Sequence, residues 1–102
     1  MKYILYRSFG NLDRDVRKHE LVAVEYGASI EDVTERLIQA VTDDLEGLPE
    51  YKGCEAVAYA PEKVKEFRKV RRYAYEMMGI VYRPDADKNV LVDYGITESD
   101  SE

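Results

Sequence analysis

Between Ser29 and Pro49 the segment SIEDVTERLIQAVTDDLEGLP carries every signal of an amphipathic helix. Ile30, Val33, Leu37, Ile38, Val41 and Leu45 recur at helical spacing and share one side. Ser29 is an N-cap candidate, and Asp32 three residues on approximates a capping box. Glu31, Asp32 and Glu35 suit the positive N-terminal end of the helix. Gly47 supplies a C′ residue and Pro49 prevents continuation. Glu31, Asp32, Glu35, Asp43 and Glu46 fall on the side opposite the apolar stripe. That stripe needs a partner surface, and the rest of the chain must provide it.

The flanking segments read as strands. KYILYRSF (2–9) and ELVAVEY (20–26) are rich in aliphatic and aromatic residues and end at turn signals, Gly10-Asn11 and Gly27. Joined by a charged loop, they pair most simply as antiparallel neighbours. CEAVAYA (54–60) is a third strand. Pro61 then suits the first turn of a second helix over 61–78, with Val64, Phe67, Val70, Ala74, Met77 and Met78 as its buried stripe and Gly79 as its end. IVYR (80–83) and NVLVDYG (89–95) form a closing hairpin. The order ββαβαββ predicts an α+β two-layer sandwich, a mostly antiparallel sheet with two helices on one face. A parallel pairing of the strands around the first helix would make that unit a right-handed crossover. Residues 1–96 read as one domain and 97–102 as a frayed acidic tail.

Strand alternation groups Tyr6 with Ile4, Tyr26 with Val22 and Val24, Tyr59 with Val57, and Tyr94 with Val90 and Val92. Those groups are expected beneath the helices. Tyr3 and Tyr82 belong to the other face, where Leu5, Phe9, Ala23 and Leu91 would form a binding or dimer surface. Nine of the eleven aromatics are Tyr, a residue suited both to the margin of a small core and to interfaces.

Charge is unevenly spread. The chain nets -6, yet residues 61–78 hold six basic and three acidic side chains, +3, which leaves -9 for the remainder. On the wheel of the expected second helix, Lys65, Arg68, Lys69 and Arg72 make an outward stripe. Three readings follow: a solvated face, contact with an acidic surface of another protein or a second copy, or contact with phosphate or nucleic acid. The negative field of the whole chain disfavours the last. Conversely, spaced carboxylates on the first helix resemble the phosphates of a duplex and would occupy a nucleic-acid-binding channel.

Signals for catalysis are sparse. His19 is the only histidine and Cys54 the only cysteine, so neither a His-rich metal site nor an internal disulfide is available. Asp85-Ala86-Asp87-Lys88-Asn89 opens like a calcium loop, but Val90 and Ile96 stand where such a loop needs Gly and Glu. Asp13/Asp15 and Asp85/Asp87 read as turn residues. No apolar run approaches the roughly 20 residues of a membrane span, and the start MKYILY is too short for a secretory h-region, so a cytoplasmic protein is expected.

The sequence therefore points to a small non-enzymatic protein-binding regulator or inhibitor, with no cofactor or metal. It would act on a nucleic-acid-handling protein through its charged helix faces, with a protein partner or a homodimer as its complex. The alternatives are phosphate-ligand, nucleotide or RNA binding through Lys65, Arg68, Lys69 and Arg72, and an enzyme with an unrecognised site.

Overall fold

The computed structural model describes residues 1–8, 20–64, 73–84 and 88–100. Six strands and one α-helix occur among them: β1 (Lys2–Arg7), β2 (Glu20–Tyr26), α1 (Ile30–Gly47), β3 (Glu55–Ala58), β4 (Glu62–Lys63), β5 (Tyr75–Tyr82) and β6 (Val90–Ser99). A 3₁₀ turn, Pro49–Tyr51, follows α1. The strands form one curled antiparallel sheet, an open half-barrel in the order β2-β1-β6-β5-β3, with β4 pairing β5. The expected β1–β2 antiparallel pair is present. β2 and β3 stand at opposite edges with β1, β6 and β5 between them, so α1 spans the sheet and makes no crossover between adjacent strands.

The expected two-helix sandwich is overturned. Where a second helix was expected over 61–78, β4 and the first half of β5 stand instead, and 65–72 lie outside the described residues. The helical spacing of Val64, Phe67, Val70 and Ala74 coincides with a second period, Tyr75, Met77, Gly79 and Val81, which is that of a strand. In β5, Met77 is buried and Met78 is exposed, because successive side chains leave opposite faces. Gly79, expected to end a helix, lies mid-strand between Ala58 of β3 and Val92 of β6. It is there for the helix that does exist: a Cβ at Gly79 would stand 2.5 Å from Leu45 Cδ1 and 3.1 Å from Val41 Cγ1.

α1 follows its sequence closely. Val33, Leu37, Val41 and Leu45 are fully buried against the sheet, each contributing roughly 1.5–3 kcal/mol relative to exposure. Ser29 takes the N-cap position in extended conformation without a side-chain bond. The capping box does not form: Asp32 Oδ2 accepts the N–H of Ala28, one residue before the N-cap, at 3.0 Å. The exit is at Leu48, whose N–H reaches Leu45 O at 3.2 Å.

Tyr3 and Leu5 of β1, Met77 and Val81 of β5, Tyr94 and Ile96 of β6 and Ala56 of β3 complete the core under α1. This reverses the expected parity for β1 and, apart from Val22, which packs against the core as expected, for β2. Tyr3, Leu5 and Ala23 lie beneath the helix, while Ile4, Tyr6, Val24 and Tyr26 occupy the outer face. Tyr94, Val90 and Val92 lie beneath the helix as expected, and Tyr82 and Leu91 lie outside. A bulge between Leu5 and Tyr6 shifts the β1–β2 register, so that Leu21 is the partner of Tyr6 on the outer face. Among the described residues, buried Tyr73 covers part of that face, lying over Gly95 and 6.0 Å from the Tyr6 ring. β6 continues to Ser99, with Thr97, Glu98 and Ser99 opposite Ile4, Tyr3 and Lys2.

Candidate functional site

Glu31, Asp32, Glu35, Asp43 and Glu46 are all exposed, on the side away from the sheet. The single base of this helix, Arg36, turns toward β2: its Nη2 donates to Tyr26 O at 3.1 Å and Asp32 O at 3.4 Å, and its Nε lies 3.9 Å from the Glu25 carboxylate. The remaining five carboxylates thus dominate the outward surface over about 22 Å of helix, at 1.5 Å per residue. Asp43 accepts from Gln39 Nε2 at 2.7 Å, one turn away, which fixes one of the five.

The basic stripe Lys65, Arg68, Lys69 and Arg72 lies outside the described residues, as do His19, Asp13, Asp15, Asp85 and Asp87. Cys54 is half-buried with a free thiol just ahead of β3, and it packs against the core.

A polar constellation that the sequence reading missed lies under the last turns of α1. Arg7 Nη1 donates to both carboxylate oxygens of Asp44, at 2.6 and 2.7 Å, and the Tyr94 hydroxyl donates to Asp44 Oδ2 at 2.6 Å. The Arg7 and Asp44 side chains are 8% and 17% exposed, so the pair is largely withdrawn from water. Burial first, and the hydrogen bond to Asp44 second, drive the Tyr94 hydroxyl far above its ordinary pKa and hold it as a donor. A carboxylate already engaged by a guanidinium and a phenol is well suited to clamp α1 to the centre of the sheet. The signal was present in the sequence: Asp44 falls on the apolar side of the α1 wheel, between Val33 and Leu37 in angle, and Arg7 shares the parity of Tyr3 and Leu5.

Beside this clamp opens a cavity of about 240 Å³, lined by Arg7, Ser8, Leu48, Tyr51, Val90 and Val92, with Glu50 and Asp93 at its acidic side. At the other end of the same face, Tyr3 and Tyr75 meet edge-on at 6.4 Å, within the field of the Glu98 carboxylate. Burial and the Glu98 carboxylate push the Tyr3 hydroxyl up to about 12 and raise that of Tyr75. Among the described residues, no group of three or more His, Cys, Asp or Glu side chains is arranged to hold a metal ion. No helix among them is long and apolar enough to cross a membrane.

Comparison of the chain with protein-family models, with curated proteins and with solved structures gave no match.

Proposed function

We propose that this chain is a protein-binding regulator or inhibitor that works without catalysis and presents the outer face of α1 to a basic surface of its partner. The carrying observation is the exposure of Glu31, Asp32, Glu35, Asp43 and Glu46 on one side of a helix whose only base, Arg36, is drawn to β2. The net charge of -6 favours the same class of partner, by steering basic surfaces toward the chain and repelling polyanions. A nucleic-acid-handling protein is a partner of the right charge, since the channel it offers to phosphates would equally accept regularly spaced carboxylates.

The test is a paired affinity capture with wild type and the double reversal Glu35→Lys plus Asp43→Lys as baits. Both positions are exposed, so the reversal leaves the core untouched. A partner retained by wild type should be lost from the reversed bait. Its purified complex should weaken at least about tenfold on reversal, a change of about 1.4 kcal/mol, and weaken further as salt rises. Equal binding by both baits would remove α1 from the interface and sink the proposal.

A further inference from the structure

We infer that β2 is a self-association edge: two copies of this chain pair β2 against β2, antiparallel and centred on Val24, into one continuous sheet. β2 is the end strand of the sheet, and among the described residues it pairs with β1 alone. In an antiparallel ladder, alternate residues direct their main-chain groups toward the partner and the others direct theirs away. The Gly27 N–H donates to Met1 O at 3.2 Å. In the register that runs from Lys2↔Tyr26 to Leu5↔Ala23, the positions bonded to β1 are then Gly27, Glu25 and Ala23. The main-chain groups of Val24 and Tyr26 therefore point out of the sheet. The Tyr26 carbonyl agrees with this parity, because Arg36 reaches it from outside at 3.1 Å.

Among the described residues, what remains open is short and well defined: the N–H and C=O of Val24 and the N–H of Tyr26. Of the devices that guard edge strands, ELVAVEY lacks lysine and proline and has only the acids Glu20 and Glu25 and the bulge opposite Leu5 and Tyr6. Instead the edge is flanked on the outer face by Leu21, Val24 and Tyr26, which are 57%, 37% and 56% exposed. Arg36 blocks growth past Tyr26, so a short strand fits better than a long one. A second β2 meets these limits. About a two-fold axis at Val24, each Val24 N–H donates to the other copy's Val24 carbonyl, Tyr26 faces Val22, and Glu25 faces Ala23. No acid is then set directly against an acid, the arrangement that would oppose pairing. The contact is isologous and closes on itself.

Each copy carries -6, so the two repel at long range and added salt should strengthen the pair. Salt weakens the basic-partner complex proposed above, so the two ideas fail separately. Sedimentation velocity of the full chain up to about 1 mM, at about 0.05 and 0.5 M salt, should show the mass rising from 11.8 kDa to twice that value, at lower concentration in the higher salt. Val24→Pro removes only an outward N–H, a place where edge strands accept proline, and should stay monomeric with an unchanged circular dichroism spectrum. Should proline unfold the chain, Val24→Lys asks the same question through an exposed side chain and should also abolish the dimer. A wild type that remains a single chain throughout, or folded Val24 variants that dimerise like wild type, would overturn the inference.

Discussion

Replacing Asp44 by Asn tests whether the Arg7–Asp44–Tyr94 contact holds α1 to the sheet. The substitution is nearly isosteric, so its effect is electrostatic and not steric. It removes the charge that balances a guanidinium whose side chain is only 8% exposed, and it weakens the acceptor of a 2.6 Å bond from Tyr94. Breaking a buried pair by removing one partner costs about 3–5 kcal/mol. Asp44 is itself 17% exposed, so the lower end, about 3 kcal/mol, is expected. A domain of this size has about 5–15 kcal/mol in total, and each kcal/mol shifts the midpoint by about 4–8 °C. The melting temperature should therefore fall by at least about 12 °C. Urea unfolding followed by far-ultraviolet circular dichroism measures this directly, with tyrosine emission as a second probe because the chain has no Trp. Asp43→Asn, one residue away on the exposed side, is the control and should stay within about 0.5 kcal/mol. A double-mutant cycle with Tyr94→Phe should give a coupling of about 0.5–3 kcal/mol. If Asp44→Asn costs no more than Asp43→Asn, the contact is incidental and the clamp reasoning fails.

Three further substitutions and one titration probe the same packing. Gly79→Ala should cost about 1–3 kcal/mol by overpacking, since its Cβ would stand 2.5 Å from Leu45 Cδ1; if that contact is the cause, Gly79→Ala combined with Leu45→Ala should lose less in urea melts than the sum of the two single losses. At alkaline pH, Tyr3, Tyr75 and Tyr94 all have hydroxyls raised above the ordinary value of 10.0. Because the unfolded phenols ionise first, this contribution is full below pH 10 and is lost as pH rises beyond it, for Tyr3 through about 12. Stability measured from pH 9 upward should fall steadily, and Tyr3→Phe should reduce the slope between about 10 and 12; an unchanged slope would contradict the raised pKa that burial and the nearby Glu98 carboxylate give that hydroxyl.

α1 was legible because everything that defines it is local. Its period, the acidic first turn and the break at Pro49 are all contained in one segment, and the same wheel gave both its buried stripe and its acidic face. β2 was legible for a similar reason, bounded by turn residues and rich in strand formers. The segment from Pro61 to Met78 was not, because short apolar spacings satisfy more than one period. Val64, Phe67, Val70 and Ala74 suit a helix, whereas Tyr75, Met77, Gly79 and Val81 alternate as a strand, and their neighbours β6 and β3 are distant in sequence. The expected basic stripe rested on that helix. The parity of β1 was misread for a related reason: both Tyr3/Leu5 and Ile4/Tyr6 are apolar sets, and local sequence holds nothing that selects the set facing α1.

By itself the sequence determined an acidic, amphipathic helix amid strand-forming segments, since helix period, capping and charge are short-range properties. Tertiary structure alone decided that Gly79 is a groove for Leu45, that Tyr3 and Leu5 face inward, and that Arg7, Asp44 and Tyr94 meet. Each of these depends on which surfaces the chain brings into contact across dozens of residues. Backbone pairing between β5, β6 and β3 satisfies the hydrogen-bonding groups of a buried apolar run that a second helix would otherwise have held.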